Sequence, residues 1–236
     1  MVKFVRDTMH GFSERPHYEA RELDGMFEKI VTDFLRKKYG RVEFPIDTED
    51  LKTLIEADVR DLDQYADLSQ YGSNVEGVTE FARAGKPKVL ISTFVHKHEN
   101  RLRTTLTHEY GHVHLHNYMF ALERTQKMPL GPNQKPDAIY CKRDTIVGAR
   151  TTDWREWQAG YASGAMLMPK SHVVRIVGDI QHRQGIFGAI VAETPNGQLL
   201  IDALVENFAV SREAARVRLS ILGFLGVSAA SRSLFN

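Results

Sequence analysis

The run His108-Glu109-Tyr110-Gly111-His112 constrains this chain more than any other feature. Histidines at i and i+4 lie one above the other on a single helix face. Both imidazoles can therefore reach one Zn²⁺, and the glutamate between them can face a water at that metal. The run from Arg101 to Thr107 contains no proline or glycine. Leu102, Leu106, Tyr110 and Val113 then recur at spacings of four, four and three, which predicts an amphipathic helix with the motif in its second half. The bland alternative is a surface helix carrying two solvated histidines.

The rest of the composition suits such a chemistry without suggesting it. At 236 residues, with 42% hydrophobic and 26% charged side chains, the chain is long enough for one good-sized domain or a domain with an appendage. A net charge of +1 argues against a general affinity for nucleic acid or acidic membranes. One cysteine rules out an intramolecular disulfide and suits a reducing compartment. No apolar stretch approaches the roughly 18 residues that span a membrane. The expectation is a soluble cytoplasmic protein with no membrane partner.

Leu23, Met26, Phe27, Ile30, Val31, Phe34 and Leu35 mark a strong amphipathic helix that Gly40 would stop. Residues 1–45 are thus expected to be an N-terminal helical segment, and 46–236 the main domain. Asp47 with Asp50 resembles a cap for a short helix through Leu51, Leu54 and Ile55. Two stretches, 75–81 and 88–92, read as strands around an Ala84-Gly85-Lys86-Pro87 turn. A small antiparallel sheet followed directly by the motif helix is expected, with an edge able to take an extended peptide by strand addition.

Pro129, Gly131, Pro132 and Pro136 break any periodicity in 119–152, which reads as a long loop insertion. Helical pattern resumes from Trp154 to Met168, where Pro169 bounds it. Two closing helices follow within 198–225, the second capped by Ser211.

Zinc needs a third protein ligand, with a fourth position left open for catalysis. A third histidine six residues beyond the second would stand at 118, but that residue is Tyr118. A carboxylate from a later helix is the remaining common solution, and spacing alone leaves Asp153 and Glu156 evenly matched. Here the sequence shows a resemblance. Residues 103–116, around the His-Glu-Tyr-Gly-His run, resemble the signature helix of the ImmA/IrrE metallopeptidase family. Residues 156–169, ending in Leu167-Met168-Pro169, are similar to that family's glutamate helix, and the stretch from Phe208 to Gly223 to its closing helices.

The resemblance implies an α+β, zincin-like domain: a small antiparallel sheet, the motif helix and a helical C-terminal half. It implies a gluzincin-like site with His108, His112 and Glu156 as zinc ligands. One departure is Gly160, where family members commonly carry Asn, so a side-chain hydrogen bond near the site is expected to be missing. Glu109 would serve as general base. His116, one turn beyond His112, and Asp153 are candidates for orienting the ligands from behind. His114 is rotated away from the metal face. Tyr110, Tyr161, His172 and His182 are candidate oxyanion donors. Cys141 is either a buried free thiol or a redox-sensitive inhibitory ligand. Trp154 and Trp157 read as packing residues that fix the ligand helix.

The implied activity is a zinc endopeptidase acting on a specific cytoplasmic protein, which the resemblance suggests is a transcriptional repressor. The alternative is a DNA- or protein-binding regulator using the helix-turn-helix-like segment, with Arg212, Arg216 and Arg218 near a recognition helix. From Ser171 onward six arginines face five acidic residues, so no basic stripe supports it. A non-catalytic module with structural zinc would not require Glu109.

Overall fold

The computed structural model describes residues 3–82, 85–126, 137–142 and 153–226. Its first helix, α1 (Ala20–Tyr39), forms where the apolar spacing requires: Leu23, Phe27, Val31 and Leu35 repeat every fourth residue and are buried. A reciprocal capping box between Glu19 and Glu22 starts it, and Gly40, at φ 71°, ends it in the left-handed conformation that glycine adopts without strain. The short helix α2 (Thr48–Glu56) follows, burying Leu51, Leu54 and Ile55.

Before α1 lies an element that the sequence reading missed. Strands β1 (Lys3–Arg6) and β2 (Glu14–His17) form an antiparallel hairpin with Phe4 opposite Pro16. The first 45 residues are therefore not purely helical. Each strand is only four residues long, and together they are three-quarters polar or proline, too short and too polar for an alternation to register.

The main sheet is mixed, a correction to the antiparallel expectation. Its order is β3 (Asp61–Ala66), β5 (Lys88–Ser92), β4 (Val75–Phe81), β6 (Asp137–Lys142), with β3 parallel to β5 and the other pairings antiparallel. Strand β3 was invisible because Asp61-Leu62-Asp63-Gln64-Tyr65 carries the charge pattern of an edge strand. The proposed turn at 84–87 lies partly outside the described residues.

The 119–152 loop is also corrected where it is described. Helix α3 (Glu99–Gln126) runs past the motif, because Met119 and Phe120 bury against Phe12, Phe81, Ile139 and Trp154. Phe81 and Phe120 stack at 4.0 Å. Strand β6 then adds to β4, turning Ile139 and Cys141 inward and Tyr140 outward. The remainder of that insertion lies outside the described residues.

Four helices complete the architecture: α4 (Trp154–Leu167), α5 (Lys170–Gln184), α6 (Pro195–Phe208) and α7 (Arg212–Ile221). A two-residue parallel pairing of β7 (Ile190–Val191) with β8 (Leu225–Gly226) ties the ends of this half together. Helix α3 sits between β4 on one side and α4 on the other. One apolar cluster runs from Leu23 and Phe27 through Leu106 and Tyr110 to Met166, Leu204 and Leu219, so both ends of the chain share a core. Among the described residues no helix is long and apolar enough to cross a membrane.

Candidate metal centre

Two glycines decide how closely the elements around α3 approach. A Cβ on Gly111 would stand 2.9 Å from the Ala159 Cα and 3.1 Å from the Ala162 Cβ. The glycine inside the motif therefore lets α4 lie directly on α3. That close approach, with Thr107 and Ser163 hydroxyls 2.7 Å apart across it, carries Glu156 to the two histidines. On the opposite side, a Cβ on Gly77 of β4 would strike the Glu109 carboxylate at 2.4 Å.

The result is a convergent donor set. His108 Nε2 and His112 Nε2 are 3.1 Å apart. Glu156 Oε2 lies 3.3 Å from His108 Nε2, and Glu156 Oε1 3.3 Å from His112 Nε2. Ligands held tetrahedrally at about 2.05 Å from zinc stand ~3.3 Å from one another, so the triangle already has the size of a zinc face. His108 and His112 are fully buried and Glu156 is 6% exposed. Among the described residues these three form the one cluster able to hold a metal ion.

Its electrostatics point the same way. Burial pushes the Glu156 carboxyl up, but His112 and His108 beside it more than reverse this and hold it far below the ordinary range. Burial pulls His112 below its usual value, leaving a neutral imidazole with a free lone pair. At His108 burial is outweighed by the Glu156 carboxylate, which raises the imidazole, so this dry carboxylate draws positive charge to the shared point, a proton or a metal cation. Zinc fits this donor set in number, type and spacing.

Glu109 is fully buried against the sheet. One carboxylate oxygen accepts from Thr79 Oγ1 at 2.5 Å, and the other has no hydrogen-bond partner. Burial raises its pKa to about 7. A bound cation would bring it down again. Cys141 is fully buried, and on β6 it pairs with Gly77, next to the Glu109 carboxyl. Burial, with Glu109 and Glu156 close by, pushes its thiol well above the usual value, so it is a protonated thiol in this state.

The remaining candidates divide. His116 is fully buried, with Nδ1 3.0 Å from His112 Nδ1 and Nε2 3.1 Å from Gln158 Oε1. Asp153 does not stand behind a ligand histidine. It caps α4, accepting from the backbone of Arg155 at 3.1 Å and Glu156 at 3.4 Å, and pairs with His10 Nε2 at 3.0 Å. Its position one residue before the helix makes it a cap, because the free amides of the first turn lie within its reach. His114 is exposed.

The four proposed oxyanion donors are committed elsewhere. Tyr110 donates to Asp58 at 2.6 Å and Tyr161 to Asp24 at 2.9 Å. His172 packs on Phe44 at 4.7 Å between ring centres, and His182 is exposed in the last turn of α5. Trp154 is buried and donates from Nε1 to Asp7 at 3.1 Å. Trp157 packs partly buried on the core.

Sequence reasoning missed Gly77, Thr79, Gln158 and the hairpin that braces α4. Gly77 did leave a signal, since a glycine inside a strand marks a bulge or a close backbone approach, and the β4–β6 register shifts between Val75 and Gly77. Gln158 left none. Comparison with protein-family models and with curated proteins finds no match to this chain.

Proposed function

We propose that the chain is a zinc-dependent peptidase of zincin-like design, with His108, His112 and Glu156 as ligands and Glu109 as general base. One observation carries this reading: three buried donors spaced for tetrahedral zinc, with no fourth among the described residues, stand beside a buried carboxyl that has an oxygen to spare. A structural zinc site fills all four positions, whereas a catalytic one keeps the fourth for water or substrate. When bound, zinc would supply a Lewis acid that acidifies water and polarises a carbonyl.

The chain's own residues do the rest. Thr79 holds one oxygen of Glu109, and the carboxylate would accept the proton on the other. The same group can return that proton to the leaving amine. The dry surroundings strengthen each of these contacts. His108, Glu109 and His112 are fully buried, and an edge of the sheet beside them would take an extended peptide by strand addition.

The substrate class rests on the ImmA/IrrE resemblance alone and is a cytoplasmic transcriptional repressor. The DNA-binding reading loses its cations. Arg218 is buried on Asp24, Arg212 pairs with Asp202, and Arg216 with Glu213. Metal analysis of wild type and Glu156→Ala, purified side by side without chelator, tests the site. About one zinc per wild-type chain, largely lost in the variant, is expected. Glu109→Gln should keep the zinc and lose cleavage of a candidate repressor; cleavage at the wild-type rate would sink the mechanism.

A further inference from the structure

The side of His112 away from the metal position opens a chain of buried polar groups that ends on a main-chain carbonyl of the hairpin. His112 Nδ1 lies 3.0 Å from His116 Nδ1. His116 Nε2 lies 3.1 Å from Gln158 Oε1, and Gln158 Nε2 donates to the Pro16 carbonyl at 3.1 Å. His112 and His116 are fully buried, Gln158 is 1% exposed, and Pro16 is buried. We infer that His116 and Gln158 are positioning residues that lock His112 into the one tautomer able to ligate metal through Nε2, and that the Pro16 carbonyl sets the direction of the whole chain.

A carbonyl can only accept, so the Pro16 oxygen must face the NH₂ of Gln158. That fixes the amide orientation and turns Oε1 toward His116. An amide oxygen also only accepts, so His116 Nε2 must carry a hydrogen. A neutral imidazole has one such hydrogen, which leaves His116 Nδ1 as an acceptor. The hydrogen between the two rings therefore belongs to His112 Nδ1. The lone pair of His112 is thereby left on Nε2, the atom 3.3 Å from Glu156 and 3.1 Å from His108 Nε2.

Every link has a donor on one side and an acceptor on the other, and any single reversal strands two like groups in a dry interior. Such a mismatch is costly because neither group has water to turn to. The other faces around His116 offer no competing partner in the described residues: the ring edge meets the Trp154 indole at 5.5 Å between centres. His108 lacks this arrangement, since its Nδ1 has no hydrogen-bond partner.

This inference rests on the metal-site reading only for its consequence. The tautomers can be read directly, by long-range ¹H–¹⁵N correlation of the histidine rings in full-length protein, both zinc-free and zinc-loaded. In both states His116 should carry its hydrogen on Nε2, and His112 Nδ1 should be protonated. Gln158→Leu, checked for native circular dichroism, should scramble the His116 pattern and weaken zinc binding about 10- to 100-fold, the usual effect of losing a partner behind a ligand. Gln158→Glu still accepts from His116 Nε2 but can meet the Pro16 carbonyl only as a protonated carboxyl, so the wild-type ring pattern should hold at a pH where that carboxyl is protonated and be lost where it ionises.

A hydrogen on His116 Nδ1 in the wild type would overturn the proposal. So would a Gln158→Leu protein with unchanged ring signals and unchanged zinc affinity. If the wild type shows the expected tautomers but binds no zinc, the relay stands and the metal reading fails.

Discussion

The two ends of α4 (Trp154–Leu167) are both tied down by polar contacts, but to different purposes. At the N-terminal end the contacts come from the hairpin segment. Asp7 accepts from the Trp154 indole, His10 pairs with the capping Asp153, and the Pro16 carbonyl takes the Gln158 amide. These all lie within three residues of Glu156 and fix where its carboxylate points. At the C-terminal end, Asp24 of α1 accepts from Tyr161 at 2.9 Å and from Arg218 of α7 at 2.7 Å, while Arg218 Nε donates to the Met168 carbonyl. That cluster joins three helices and touches no ligand. One end aims the site, and the other holds the body together.

The largest effect should come from the body end. Arg218 and Asp24 side chains are 2% and 6% exposed, so removing either one leaves an uncompensated buried charge. Arg218→Ala or Asp24→Ala should cost about 3–5 kcal/mol in denaturant unfolding, while the folded fraction keeps its zinc affinity. Replacing both with apolar residues of similar volume should recover much of that loss. If Arg218→Ala instead lowered zinc affinity in well-folded protein, the division between the two ends would be wrong.

Gly111→Ala comes next, because it acts on both ends together. The new methyl meets the Ala159 backbone at 2.9 Å, and backbone cannot step aside as a flexible side chain can. Overpacking of this kind costs about 1–3 kcal/mol. It also lifts α4 off α3 close to Glu156, so calorimetry should show weaker zinc binding alongside the lower stability. Unchanged zinc affinity would mean that α4 slides rather than lifts.

The order of legibility follows from range. The ligand histidines and Glu109 were readable because helix periodicity places them within one turn of each other, and the capping of α7 by Ser211 is equally local. The choice of Glu156 over Asp153 needed a resemblance, since both begin the same helix. The structure separates them through one detail: Asp153 is spent on the amides of Arg155 and Glu156. What could not be read was made by distant pairings. Pro16 meets Gln158, Asp24 meets Arg218, and β6 meets β4 across some sixty residues, and no local pattern encodes any of these contacts. The polar, four-residue strands of the hairpin hid the aiming end of α4 altogether.

Asp7→Asn probes that end more gently. Burial raises the Asp7 carboxyl, but the amides of His10, Met9 and Phe12 and the Trp154 indole outweigh it, and its pKa lies below the usual value. A depressed native pKa contributes stability that is fully present above the unfolded value of about 4. It is lost as pH falls through the depressed native value. The melting temperatures of wild type and Asp7→Asn should therefore differ at pH 7 and converge under acid. Zinc affinity should fall at neutral pH by more than the stability change would suggest, because the indole anchor sits two residues from Glu156.

The smallest effect separates two roles of one residue. Asp153 is both the N-cap of α4 and the partner of His10, with side chains 36% and 14% exposed. Asp153→Asn keeps an acceptor for the Arg155 and Glu156 amides and gives up only the charge. A half-exposed pair of this kind contributes little, so the variant should lie within about 0.5 kcal/mol of wild type with unchanged zinc affinity. Asp153→Ala also loses the cap, at about 1 kcal/mol, and frees the first turn that carries Glu156. Its zinc affinity should drop a few-fold. If Asn and Ala weakened zinc binding equally, the charge facing His10 would be what aims this end of α4, and the cap would matter only to stability.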